Sequence, residues 1–117
     1  MILDEIKQKL EEINNKVYYG AVDEAESENI WDYIVFNRKP TKIGENRTGY
    51  SDYFQVNVIC ENFIPENMDD KIIKKMLEIK GMKTAASDIE YRYILKPNTN
   101  TVVEMMSITF VKARKCD

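Results

Sequence analysis

Residues Ile30 to Glu61 constrain this chain more than any other stretch. The stretch opens with Ile-Trp-Asp-Tyr-Ile-Val-Phe-Asn-Arg and closes with Asp-Tyr-Phe-Gln-Val-Asn-Val-Ile-Cys-Glu, two runs rich in aromatic and β-branched residues that alternate as strands do. In the first run Trp31, Tyr33 and Val35 share one face, and Ile30, Ile34 and Phe36 share the other, which Asp32 interrupts. In the second, Phe54, Val56, Val58 and Cys60 form a core-facing row, while Tyr53, Gln55, Asn57, Ile59 and Glu61 form a mixed one. Pro40, Gly44 and Gly49 lie between the runs. A flexible strand-strand loop is therefore expected over about 38–51, longer than the roughly two to five residues most hairpins use.

The flanking segments supply helices and a second hairpin. Leu3, Ile6, Leu10, Ile13 and Val17 recur at steps of three and four, which predicts an amphipathic helix from about Ile2 to Lys16. Tyr18-Tyr19-Gly20 reads as its stop. Met68, Ile72, Ile73, Met76, Leu77 and Ile79 predict a second helix ending near Lys80, with Asn67 as N-cap and Gly81 as terminator. Ile89, Tyr91, Tyr93 and Leu95 then alternate, Pro97 to Asn100 turn the chain, and Val102 to Val111 form a last strand with apolar groups on both faces. The expected fold is α+β: an antiparallel sheet of about four strands with two helices packed on one face, in the order α-β-β-α-β-β. At 117 residues, 1–117 is expected to form a single domain.

The composition excludes several classes of chemistry. Without histidine there is no Ser-His-Asp or Cys-His pair, and no phosphate-cradling or dinucleotide glycine motif occurs, so neither enzyme activity nor a cofactor is expected. Asp69 and Asp70 suit the first turn of a helix better than a paired-carboxylate site. Cys60 falls in an alternating strand as a buried structural thiol, and Cys116 stands too near the terminus to be a preorganised nucleophile. No metal site is expected. No apolar run approaches the roughly 20 residues that span a bilayer, and the start lacks signal-peptide character, so a cytoplasmic protein with no membrane partner is expected. A net charge of −3 argues against a generic nucleic-acid binder, and the aromatic strands lack the basic pattern of base-stacking sheets.

The distribution of charge says more than its sum. Asp23, Glu24, Glu26, Glu28 and Asp32 form an acidic segment, whereas Arg38, Lys39, Lys42 and Arg47 face only Glu45 in the connection between the strands. Two readings stay open: complementary fields that orient one copy against another, or an unevenly charged solvated surface. The candidate partner-binding residues are Arg38, Lys39, Lys42 and Arg47. The candidate subunit interface comprises Asp23, Glu24, Glu26, Glu28, Trp31 and Tyr33.

An N-terminal helix followed by Trp31-Asp-Tyr-Ile-Val-Phe-Asn-Arg, a polar connection, Ser51-Asp-Tyr-Phe-Gln-Val and Glu61-Asn-Phe-Ile-Pro resembles the small neck and tail-completion proteins of tailed bacteriophages, often carried by prophages of Gram-positive bacteria. As an order of elements the resemblance covers about Ile2 to Val111, and as residue identity about Trp31 to Pro65. It implies an α+β structural protein of the virion that assembles as a homo-oligomeric ring, of tail-terminator or head-tail-joining type. It also implies a long strand-strand loop that contacts the tail tube, connector proteins, neighbouring subunits or the DNA passage. A closed ring needs two unlike patches on each copy, which fits apolar residues on both sheet faces and separated charges. The competing expectation is a small monomeric binding module or regulator of prophage origin without catalytic activity.

Overall fold

A computed structural model describes residues 1–21, 32–44, 49–85 and 88–115 of the chain. Its elements are α1 (Ile2–Glu11), β1 (Val17–Tyr19), β2 (Asp32–Ile43), β3 (Gly49–Glu61), α2 (Met68–Leu77), β4 (Met82–Thr84), β5 (Glu90–Leu95) and β6 (Val102–Lys115). The fold is α+β, but the expected four-stranded antiparallel sheet in the order α-β-β-α-β-β is not what forms. The described residues make a mixed six-stranded sheet in the order β1-β2-β3-β6-β4, with β5 also paired to β6.

Two short strands account for the difference. The first helix was expected to run to about Lys16, with Tyr18-Tyr19-Gly20 as its stop; instead α1 stops at Glu11, and Val17 to Tyr19 pair in parallel with Ile34 to Phe36. The Asn14 side chain stabilises this break by accepting from the Lys16 backbone N–H at 2.9 Å and donating to the Asp32 carbonyl at 3.3 Å. Asparagine competes for backbone groups in this way and so favours chain reversals over helix interiors. The other addition, β4, follows Gly81, whose φ of +84° turns the chain out of α2 and against Phe110 to Lys112. Asn67 does precede α2, yet it sits in the left-handed region at φ 67° and its side chain caps no N–H.

The centre of the sheet is long and regular. β2 pairs antiparallel with β3 from Asp32↔Cys60 to Ile43↔Tyr50, and β3 pairs antiparallel with β6 from Glu61↔Val103 to Gly49↔Lys115. The connection expected over 38–51 is thus mostly strand: β2 runs on to Ile43 and β3 begins at Gly49. A register shift between Lys39 and Lys42 marks a β-bulge that contains Pro40. A bulge on an edge strand is where proline's missing N–H does least harm to a ladder.

Alternation along the paired strands gives the sheet two distinct faces. Ile34, Phe36, Phe54, Val56, Val58, Met106, Ile108 and Phe110 lie on one of them in register, all almost wholly buried against Ile6 and Leu10 of α1 and Ile72 and Met76 of α2. Both helices cover this face. Across the helix pair, Lys9 reaches Glu78 at 2.9 Å and Lys75 reaches Glu12 at 3.0 Å, so the exposed sides of α1 and α2 are laced by partly exposed ion pairs. The molecule extends 53 × 28 × 23 Å, and the long sheet strands set the first dimension.

Candidate assembly surfaces

The second face of the sheet carries no described helix. Its rows are Tyr33, Val35, Asn37 and Lys39 on β2, Tyr53, Gln55, Asn57 and Ile59 on β3, and Met105, Ser107, Thr109 and Val111 on β6, most of them half-buried. At its middle a polar ladder crosses three strands. The Asn57 amide donates to Asn37 Oδ1 at 3.0 Å and to the Val35 carbonyl at 3.1 Å, and Asn57 Oδ1 accepts from the Ser107 hydroxyl at 2.7 Å. This ladder explains the mixed row expected of β3: its polar members hydrogen-bond one another across the strands. Tyr33, a candidate interface residue, lies at one end of this face with its ring edge-on to Tyr18 at 6.1 Å, and burial raises its hydroxyl pKa. The other candidates, Asp23, Glu24, Glu26, Glu28 and Trp31, lie outside the described residues.

The opposite end of the sheet is a basic arm formed by the distal halves of β2 and β6 and the start of β3. Arg38, Lys39 and Lys42 are exposed there on strand rather than loop, and Arg47 lies outside the described residues. Strand alternation places Arg38, opposite Phe54, on the helix side, and Lys39, opposite Tyr53, on the second face. The bulge changes the parity beyond it. Lys42 pairs with Ser51, two residues from Tyr53, so Lys39 and Lys42 share the second face although three positions separate them. The Lys42 ammonium stands 5.2 Å from the Tyr53 ring centre.

On the helix side of the arm, Asp52 binds Arg114 through two contacts, Nε to Oδ2 at 2.9 Å and Nη2 to Oδ1 at 3.3 Å, and accepts from the Thr41 hydroxyl at 3.1 Å. Arg114 also lies 4.5 Å over the Tyr50 ring. Partial burial pushes the Asp52 carboxyl up, but the hydrogen bonds from Arg114 and Thr41 and the nearby charges of Arg114 and Arg38 outweigh it and hold the group below its ordinary pKa. A carboxylate bound in this way ties β2, β3 and β6 together within the arm.

A surface that the sequence did not single out lies at β5. All six residues of this strand are exposed, among them Tyr91, Tyr93, Ile94 and Leu95, with Val102 and Phe63 exposed nearby. Register places Tyr91, Tyr93 and Leu95 on the helix side, opposite Met106, Glu104 and Val102. Among the described residues, no strand pairs with the outer edge of β5. Alternation predicted the strand. Its position as an exposed margin depends on which strands pair, and local sequence does not carry that.

Cys60 is 5% exposed, and its thiol pKa is pushed up to about 12 by burial, by the Asp32 charge and by its hydrogen bond to Asp32. That matches the expected structural role. Cys116 lies outside the described residues. Among the described residues no cluster of three or more His, Cys, Asp or Glu is placed to hold a metal ion, and no helix is long and apolar enough to cross a membrane. Against models of protein families and against curated proteins, the chain finds no match.

Proposed function

We propose that this protein is a structural assembly component of a tailed phage or prophage, a ring-forming tail terminator or head-tail joining protein that acts without catalysis. One observation carries the reading. A single sheet presents two unlike margins: an arm rich in Arg38, Lys39 and Lys42, and the exposed aromatic strand β5 some distance along the same sheet. Head-to-tail contact between unlike patches is what closes a ring, whereas a self-complementary patch stops at a dimer. The resemblance of Trp31 to Pro65 to neck and tail-completion proteins gives the ring its place, at the end of a tail tube or at the head-tail junction. In this reading the partners are further copies of the chain and the tail-tube or connector proteins, and the arm stands close to the DNA passage. The protein would be made in the host cytoplasm and carried into the virion.

The experiment is the mass of the purified protein by light scattering over a range of concentrations at low and high salt, alone and with isolated tail tubes. A discrete closed oligomer, formed alone or on the tube and loosened by salt, is the expected result. A monomer under every condition, with no binding to tubes, would overturn the reading in favour of a monomeric binding module.

A further inference from the structure

We propose that the outer edge of β5 pairs antiparallel with β5 of a second copy of this chain, joining two sheets about a two-fold axis at Tyr93. The inference goes beyond the ring reading, whose contacts are head-to-tail, and holds whether or not the protein belongs to a phage.

The hairpin of β5 and β6 shows which backbone groups face outward. The Lys96 N–H donates to the Thr101 carbonyl at 2.9 Å, one position beyond the Leu95↔Val102 pair. Backbone groups alternate in direction along an antiparallel strand, so Ile94, Arg92 and Glu90 also turn their N–H and C=O groups toward β6. Tyr91, Tyr93 and Leu95 turn theirs outward, and among the described residues no strand meets them. The Ala85 N–H donates to the Thr109 carbonyl at 2.9 Å, which fits the same parity: Thr101 and Thr109 both turn their carbonyls to this margin. A hydrogen bond to Glu104 on β6 draws the Tyr93 ring over the sheet and away from the open edge.

The margins of the sheet are finished differently. β1 and β4 have three residues each, and distal β2 carries Lys39, Pro40, Lys42 and a bulge, all devices that discourage strand addition. β5 has the sequence Glu-Tyr-Arg-Tyr-Ile-Leu, with neither lysine, proline nor a register shift. It exposes Tyr93 by 62% and Leu95 by 60% on the helix side and Ile94 on the other. An open, regular edge flanked by apolar side chains is the kind that accepts an extended chain.

The order of charges selects a copy of the same strand. Asp88 and Glu90 stand at its start and Lys96 just past its end, so antiparallel self-pairing sets acid against base, whereas parallel pairing sets like against like. Outward groups must meet outward groups, which leaves registers centred on Tyr91, Arg92 or Tyr93. The first sets Tyr93 and Leu95 beyond the start of the second strand, and the second opposes two guanidinium groups across the axis. Centring on Tyr93 pairs Tyr91 with Leu95 and Glu90 with Lys96 of the second copy. It also matches all three outward residues, giving about six backbone hydrogen bonds. Backbone bonds and apolar contact carry this interface and its ion pairs are exposed, so salt should alter it little. β5 cannot serve this contact and a head-to-tail one at once. In the assembly reading the dimer is therefore a form that opens before a ring closes.

The test is made without tail tubes. Light scattering over a range of concentrations should show a monomer–dimer equilibrium with little dependence on salt. Tyr93→Pro removes an N–H that faces solvent in the monomer, a position where an edge strand tolerates proline. It should weaken the dimer by at least about tenfold through loss of two central hydrogen bonds, with circular dichroism checking the fold. In a Cys116→Ser background, mild oxidation of Tyr93→Cys should give a covalent dimer, because opposed residues of a hydrogen-bonded pair lie about 5.5 Å apart at Cα, within disulfide range. Tyr91→Cys and Arg92→Cys should not cross-link, since this register sets neither opposite itself. A monomer at every concentration, or more cross-linking at 91 or 92 than at 93, would overturn the pairing. A protein that is monomeric alone yet forms rings on tubes would refute this pairing and leave the assembly reading standing. A dimer trapped at Tyr93 that never binds tubes would do the reverse.

Discussion

Replacing Asn57 by alanine should destabilise the fold through loss of the polar ladder on the second face. The truncation removes three hydrogen bonds: to the Val35 carbonyl at 3.1 Å, to Asn37 Oδ1 at 3.0 Å and from Ser107 at 2.7 Å. Neutral hydrogen bonds contribute about 0.5–1.5 kcal/mol each, so full burial would set the loss at about 1.5–4.5 kcal/mol. The site is only half-buried, and water can reach part of the orphaned groups, which brings the expected cost to about 1–2 kcal/mol. At this chain length that corresponds to a fall of about 4–8 °C in Tm. Urea unfolding followed by far-ultraviolet circular dichroism measures it, with the midpoint shifting and the slope unchanged. A double-mutant cycle with Ser107→Ala sharpens the test, because two residues in direct hydrogen-bond contact should couple by at least about 0.5 kcal/mol. Additive single effects, or an Asn57→Ala variant as stable as the parent, would refute the claim that the ladder holds the three strands together.

Phe110→Ala should cost about 3–5 kcal/mol, since the ring is fully buried in the row beside Phe54 and its loss leaves a cavity under both helices; thermal unfolding reads this directly. Tyr93→Ala, at an exposed edge position, should change stability by less than about 0.5 kcal/mol while impairing assembly, a separation that parallel unfolding and light-scattering measurements would reveal. In a Cys116→Ser background, Cys60 should resist a thiol reagent at pH 8 and react once urea unfolds the chain, because its thiol is buried and its pKa lies near 12. The hydrogen bond from Lys9 holds the Glu78 pKa below its ordinary value, so this pair contributes stability above the unfolded-state pKa of Glu78 and loses it as pH falls through the lower folded value. The raised Lys9 pKa, held chiefly by the same hydrogen bond, adds the mirror effect, present below the unfolded lysine pKa and lost as pH rises through the folded one. Glu78→Gln should flatten both limbs of a Tm-versus-pH curve relative to the parent.

The parts of the fold legible in sequence were those whose burial imposes a period. Ile34 and Phe36, the row Phe54 to Cys60, and the stripe through Ile72 and Met76 all face the core as their spacing predicts. Two strands of three residues each, β1 and β4, escaped because so short a run shows no period of its own. A length argument, not used in reading the sequence, bears on the first. Parallel partners need a crossover of about a dozen residues, and residues 20–31 provide one between Tyr19 and Asp32. The distal half of β2 was misread as loop because Arg38 to Lys42 lack apolar alternation and include proline. An edge strand that leaves the core and is solvated on both faces needs no such alternation, and the bulge accommodates the proline. Sequence likewise marked Arg38, Lys39 and Lys42 as one charged group, but strand geometry splits them between two faces.

That split gives the bulge a consequence for assembly. In an uninterrupted strand, Lys39 and Lys42 would point to opposite sides of the sheet, because their spacing is odd. Two residues of β2 set against one of β3 restore them to a common face, above Tyr53, while Arg38 and Thr41 turn to Asp52 on the other. One side of the arm is thereby tied down by the Asp52 and Arg114 contacts, and the other side presents its ammonium groups outward. In the assembly proposed above, an arm tied by the Asp52 contacts and charged on one face would approach a partner in a restricted set of orientations, so ordering it on binding would cost less than ordering a free loop. The irregularity that hid this strand in the sequence is the same feature that turns two of its lysines into a single directed patch.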